Sequence, residues 1–402
     1  MTFSKVLLTA VAASALFAVA PARADDVKLG FLGGFTGPIE SLTPPIFNGA
    51  KLALQNINDQ GGVLGGSKLT IESADGACDA SAAGNAADKL INTSKVVAVV
   101  GGLCTGETIG GFNAAGKPGN VVFVSPASSA PALTTLDDND LVFRTTPSDA
   151  LQGVKMASLL ISKGVKNVVV TYVNNDYGKG LNDSFTNAFK AAGGTVDADV
   201  AHEDNKADYR AELGQLAASG DENLVILAYA NSSGHTILQQ AVESGDFKAY
   251  FGGDGMVGDT LTKGIDPAAV KGLIATRAGA PKGAGTDAFD ALAKAANVDP
   301  TGTYVPQAYD AAFMLALAIE KNGKADRDGL SKALRAIASN KGEAILPGQW
   351  KEAVAAIKAG KDIHYEGAGG DLTFDAHGDV DGIINWLQVD DKGQFVDEGP
   401  IK

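Results

Sequence analysis

The chain has 402 residues, 45% of them hydrophobic and 50 of them glycine. Its 47 acidic side chains outnumber 33 basic ones, for a net charge of −14. Such a surface favours solubility and repels nucleic acid and anionic lipid, and the length suits about two domains at roughly 100–200 residues each.

The first element is a targeting segment. Lys5 precedes an apolar run over 6–20, then Ala22-Arg23-Ala24 and Asp25. A charged start, a short apolar stretch and a small-residue site predict a signal peptide over 1–24, cleaved after Ala24. The run, about 15 residues, is shorter than the roughly 20 that span a bilayer. No cysteine follows the cleavage site, so no lipid anchor is expected, and the product is expected outside the cytoplasm.

Strand 27–32 comes next, then a helix over 46–57 with Ile46, Ala50, Ala53, Leu54 and Ile57 at helical spacing. A strand over 68–72 and a helix over 80–91 follow. The run 96–100, Val-Val-Ala-Val-Val, suits a parallel strand buried on both faces. Another strand lies at 121–124. The order βαβαβ predicts a doubly wound α/β domain. The pattern restarts with helix 150–161, strand 167–172, helix 181–192 ended by Gly193-Gly194, strand 224–227, helix 236–243 and strand 249–251. This is a second α/β unit with no close sequence repeat of the first. Helices at 309–320, 330–337 and 349–359 lead to a predicted strand pair, 371–374 with 383–389. The aspartate-rich segment 375–382 between them has a faint calcium-loop spacing. Trp386 stands where the closing glutamate belongs, so a glycine turn is expected instead and no metal site is assigned.

The two cysteines, Cys78 and Cys104, read as a disulfide in an exported chain. It closes a loop of about 27 residues, worth roughly 3–4 kcal/mol in the chain-entropy model. A thiol nucleophile wants a basic partner, and none of the four histidines is near either cysteine in sequence. A zinc site wants four closely spaced ligands, which are absent from the pattern. No catalytic triad or cofactor motif is found either, so neither an enzyme nor a cofactor is expected.

Ligands in open α/β sheets sit beyond the carboxyl ends of the strands. Those loops here are 33–38, 101–105, 125–129, 174–178 and 252–255. They offer hydroxyls, backbone N–H groups and one carboxylate, with almost no basic residues. Gly101-Gly102-Leu103-Cys104 lets the backbone approach a ligand, and Thr105 opens a helix whose N–H groups favour an anion. No phosphate-loop motif accompanies them. Ser128 and Ser129 add hydroxyls, and Asp254 offers a negative charge to a cation. An anion site facing a cation site matches an α-amino acid zwitterion.

With these residues in order, the chain resembles the periplasmic Leu/Ile/Val-binding family, the substrate-binding proteins of branched-chain-amino-acid-type ABC transporters. The likeness rests on Thr36-Gly37-Pro38-Ile39, Phe47-Asn48-Gly49-Ala50, the NDQGG at 58–62, Gly76-Ala77-Cys78-Asp79, Gly101-Gly102-Leu103-Cys104, Ser125-Pro126, Leu133-Thr134, Phe143-Arg144-Thr145, Asp176-Tyr177-Gly178 and Gly253-Asp254-Gly255. It implies two Rossmann-like lobes joined by three crossovers near Thr146, Thr276 and Gly382. The lobes would be 25–146 with 276–382, and 147–275 with 383–402. It also implies paired cysteines, a periplasmic monomer, an amino acid ligand and a membrane permease as partner. By the resemblance, Thr105, the Ala127 backbone and Ser129 bind the ligand's carboxylate and ammonium. Tyr177 closes from the second lobe, and Asp254 stands where the family's ammonium ligand is usually Glu. Leu42, Tyr229 and Ala230 fall at side-chain pocket positions where relatives carry aromatics. The pocket is therefore expected to be remodelled. A non-amino-acid carboxylate, an amide or a sensing role is the alternative.

Overall fold

The computed structural model describes residues 26–402, so the signal peptide 1–24 and its cleavage site lie outside the described residues. The first sheet contains β1 (Val27–Gly33), β2 (Leu69–Asp75), β3 (Ala98–Gly101), β4 (Val122–Ser125) and β5 (Val142–Arg144), in the order β2-β1-β3-β4-β5. All its pairs are parallel. The helices α1 (Thr43–Asp59), α2 (Ala80–Asp88) and α3 (Thr105–Gly111) connect successive strands. Every residue of β3 is buried, which explains why it is uniformly apolar rather than alternating.

The helix α4 (Asp149–Ser162) leads to a second sheet. There β6 (Asn167–Val173), α5 (Asp176–Ala191), β7 (Thr195–His202), α6 (Arg210–Ala217), β8 (Asn223–Leu227), α7 (Ser233–Ser244), β9 (Ala249–Gly252), the single turn α8 (Pro267–Val270) and β10 (Ile274–Gly279) follow in turn. The chain then returns with α9 (Ala284–Ala295), α10 (Val305–Asn322), α11 (Leu330–Ile337) and α12 (Trp350–Lys358). A small sheet of β11 (Glu343–Ile345), β12 (Ile363–Gly367) and β13 (Gly370–Asp371) accompanies them. The last strands, β14 (Ile383–Val389) and β15 (Phe395–Pro400), join the second sheet antiparallel, giving β15-β14-β10-β9-β8-β6-β7. The helix α10 packs on α1, β3 and β4 and is buried at every position from Val305 to Glu320, the signature of a helix inside a core.

The chain thus passes between the sheets three times, between β5 and α4, between β10 and α9, and between β13 and β14. The middle passage lies beyond Gly279 rather than near Thr276, because β10 stays hydrogen-bonded to β14 through Gly279. Two other expectations differ. The strand pair 371–374 with 383–389 does not form, because β14 pairs with β10 and β15 instead. The helix expected from 181 begins at Asp176, where Asn175 caps it by accepting the Gly178 N–H at 2.9 Å. The disulfide Cys78–Cys104 is present, with Cα atoms 5.3 Å apart.

His202 ends β7 wholly inside the second lobe. Its Nδ1 lies 2.7 Å from Thr171 Oγ1 and its Nε2 lies 3.3 Å from Ser233 Oγ. Burial pushes the imidazole down to about 4 from an ordinary 6.5. The unfolded chain therefore takes up this proton first as the pH falls. The stability His202 contributes is complete above 6.5 and is lost as the pH falls through about 4. His202→Gln is expected to flatten that part of the stability curve, as read from urea midpoints measured across this range for both proteins.

Candidate functional site

Both sheets reverse their strand order at one point, the first between β1 and β3 and the second between β6 and β8. Such switch points leave a crevice beyond the strand ends. Here the two crevices face each other across one cleft. The first lobe supplies Ile39, Leu42, Ile46, Leu103, Cys104, Thr105, Ala127 and Ser129; the second supplies Tyr177, Tyr229, Asp254 and Gly255, with Tyr304 from the start of α10. The cavity between them is small, about 40 Å³, well below the roughly 300–1,000 Å³ of drug-sized ligand sites. Its lining contains no Lys, Arg or His.

The wall beside α3 is built from backbone. Gly101 has φ +120°, and a Cβ there would meet Leu32 O at 2.1 Å, so only glycine fits this turn. Glu107 reaches back from the first turn of α3 and accepts the N–H groups of Cys78, Leu103 and Cys104 at 2.8–3.0 Å. It thereby ties both cysteines to the loop. Thr105 is the first residue of α3, so its N–H has no acceptor inside the helix. Its Oγ1 accepts only a long contact from Ala130 N, 3.4 Å. Ser128 does not line the cleft, contrary to the expectation from its hydroxyl. Its Oγ lies 2.7 Å from Thr108 Oγ1, 3.0 Å from Gly102 O and 3.2 Å from Leu103 O, so its one proton and its lone pairs are engaged between the two loops. Ser129 alone of the pair faces the cleft.

Across from it, Asp254 is 5% exposed. Its Oδ1 accepts from Gln152 Nε2 at 2.8 Å and Tyr177 OH at 3.0 Å, and its Oδ2 accepts from Tyr304 OH at 2.6 Å. All three donors are neutral, so they orient the carboxylate without cancelling its charge. The Tyr177 and Tyr229 rings stack, with centroids 5.3 Å apart. Gly255 is needed where it sits, since a Cβ would meet Ala228 O at 2.5 Å and Tyr177 OH at 2.9 Å. Ala230 turns away and lines a separate groove with Lys206 and His235, because its N–H is drawn to Gly255 O at 2.7 Å.

Sequence reasoning missed Tyr304, Ile39, Ile46 and Gln152. Tyr304 carries a left-handed backbone, φ 62°, which costs a non-glycine residue about 1–2 kcal/mol. A Tyr before Val305-Pro306 gives no sign of this in the sequence. Ile39 and Ile46 read as ordinary apolar residues until the cleft assembles around them.

The Ser125–Ser129 loop is held from behind by Arg144. Its Nε and Nη2 pair with Asp379 at 2.6 and 2.7 Å, Nη2 also donates to Thr134 Oγ1, and Nη1 donates to Ser129 O and Ala130 O. Asp379 comes from the aspartate-rich turn 375–382, which closes with Asp375 N on Asp379 O and Gly378 at φ +76°. That segment presents an ion-pair partner to the cleft wall.

The family described as periplasmic binding protein matches residues 26–394. The Leucine-, isoleucine-, valine-, threonine-, and alanine-binding protein of Pseudomonas aeruginosa is 32% identical over 336 residues, covering 82% of this chain and 87% of that one. A leucine-binding protein of Thermotoga maritima superposes with a TM-score of 0.78 at 24% identity, covering 94% of this chain and 99% of that one. An ABC-transporter solute-binding protein of R. palustris in complex with benzoate gives 0.74 at 18% identity, covering 94% and 96%.

The Arg144 side chain is 1% exposed and that of Asp379 13%, so removing one partner strands a buried charge. Asp379→Ala is expected to lower stability by about 3–5 kcal/mol, measured as the shift in denaturant midpoint.

Proposed function

Since the chain belongs to the periplasmic binding protein family, we propose that it is the periplasmic solute-binding subunit of an ABC importer and carries an α-amino acid to a membrane permease. The observation that carries this reading is the position of Asp254. A buried carboxylate, held by neutral donors, faces a cleft whose lining brings no cation. The ligand must supply the positive charge. On the opposite wall the free first-turn N–H groups of α3 and the Thr105 hydroxyl suit a carboxylate. The Ala127 carbonyl, the Ser129 hydroxyl and Asp254 surround the place of the ammonium.

The rest of the lining selects the side chain. The lining also holds the apolar side chains of Ile39, Leu42, Ile46 and Leu103, with Tyr177, Tyr229 and Tyr304. This suits an aliphatic amino acid of moderate size. The stacked tyrosines also suit an aromatic carboxylate, the class bound by the R. palustris relative. Such a ligand leaves Asp254 facing a second negative charge, which is unfavourable in a buried site. The ligand has contacts from both lobes, so its binding is coupled to hinge closure. The protein acts as a monomer in the periplasm.

A thermal-shift panel on refolded, ligand-free protein tests this, because a ligand that binds only the folded state raises its melting temperature. Aliphatic L-amino acids should raise it and their des-amino acids should not; a response to aromatic acids alone overturns the amino acid assignment. Asp254→Ala should cost about 2–5 kcal/mol of binding with the fold unchanged by circular dichroism. Small-angle scattering should show a smaller radius of gyration with ligand, and an unchanged radius counts against lobe closure.

A further inference from the structure

Asp149 takes no part in that reading, yet its surroundings are incomplete. It opens α4 and is fully buried. Its Oδ2 accepts the Ser129 hydroxyl at 3.0 Å, and its backbone N–H reaches Ser129 O at 2.8 Å. Its Oδ1 is buried with no hydrogen-bond partner among the described residues. The cation that faces it is Arg144. A guanidinium has five N–H groups, and those of Arg144 are taken up by Asp379, Thr134, Ser129 O and Ala130 O.

The second acid is Asp254. Gln152, one turn along α4 from Asp149, donates to it. The charged and titratable groups around Asp149 are therefore Arg144 from β5, Asp254 after β9, Tyr177 of α5 and Tyr304 before α10. Burial holds both tyrosines neutral. Arg144 is balanced by Asp379. Two buried carboxylates thus share the cleft wall without a cation of their own.

We propose that Asp149 is a positioning residue for the ligand's ammonium: it accepts the hydrogen bond of the Ser129 hydroxyl, so that the serine oxygen faces the cleft as an acceptor, and with Asp254 it forms a two-carboxylate site completed by a positively charged ligand. This rests on the amino acid reading above. An ionised carboxylate can only accept, so Ser129 must donate to it and turn its lone pairs outward. The ammonium then meets Ala127 C=O, Ser129 Oγ and Asp254 Oδ2, one acceptor for each of its N–H groups.

Before the ligand arrives, two carboxylates in a buried wall disfavour each other's charge, and one keeps a proton. Burial, reinforced by the charge of Asp254, pushes the Asp149 carboxyl up, and the Ser129 oxygen 3.0 Å away can accept a hydrogen bond from a proton held there. The arriving ammonium supplies the missing charge, Asp149 ionises, and its proton leaves to solvent. Amino acid binding therefore releases a proton, and affinity rises with pH across the range in which the free site titrates. A des-amino acid brings no positive charge to the site and releases no proton from Asp149.

Isothermal titration calorimetry in buffers of different ionisation enthalpy tests this. The probes are L-leucine, L-valine, L-alanine and their des-amino acids, on the wild type and on Asp149→Asn. The expected result is a buffer-dependent enthalpy for amino acids with the wild type. With D149N that dependence vanishes and affinity falls about tenfold or more, because the amide donates to Ser129 and turns the hydroxyl proton toward the ammonium. Buffer-independent enthalpies for the wild type, or D149N indistinguishable from it, overturn the role of Asp149 and leave the carrier reading standing. A wild type that binds only des-amino acids overturns both. Should D149N fail to fold, Ser129→Ala serves: it keeps the acid and removes the acceptor. It should weaken amino acids far more than des-amino acids, and an S129A that binds like the wild type overturns the proposal.

Discussion

The arrangement of the cleft depends on one buried guanidinium. Arg144 ends β5, next to the point where the chain first leaves the first sheet, and it binds three separate pieces of chain. It holds the carbonyls of the serine loop, the Thr134 hydroxyl beyond that loop, and Asp379 just before the chain crosses for the last time. A planar fork with fixed N–H directions can satisfy all of these at once, where an ammonium could not. Desolvating such a charge is costly unless its hydrogen bonds are complete, and here they are. The cleft wall and the hinge are therefore braced by the same side chain.

A second economy lies in how the cleft keeps a negative charge unbalanced. Two tyrosine hydroxyls and a glutamine amide hold Asp254 in place without neutralising it. Neutral donors make a buried anion tolerable, and the remaining attraction is left for a ligand. On the facing wall are backbone N–H groups at the start of α3, which have no acceptor inside the helix, while Glu107 takes up those of Cys78, Leu103 and Cys104. Beside these polar groups the cleft is lined by the apolar side chains of Ile39, Leu42, Ile46 and Leu103.

The backbone is shaped to permit these approaches. Gly101 brings the loop of β3 against β1, and Gly255 lets Tyr177 reach over Asp254. Tyr304 accepts a left-handed conformation so that its hydroxyl can cross from α10 to the second lobe. Strain of this kind persists where the surroundings over-determine it, and it clusters at functional clefts.

Local pattern was enough for much of this molecule. The alternation of short apolar runs with helical periods stated the α/β class, since burial on both faces of a parallel strand demands such runs. The glycine turns, Thr105, Ser129, Tyr177 and Asp254 were legible because strand-end loops carry the ligand chemistry in doubly wound sheets. Weakly apolar pieces were not: β7 is half exposed along its length, and the β14 partnerships join residues distant in sequence. Only the tertiary structure could separate Ser128, spent on bracing two loops, from Ser129, which faces the cleft, because adjacent residues of the same type carry no mark of direction. Only it could bring Tyr304 to the cleft, Gln152 to Asp254 and Asp149 to Ser129, or show that the aspartate-rich turn serves Arg144. Those roles arise from contacts between residues well separated along the chain, where sequence proximity says nothing about what lies opposite.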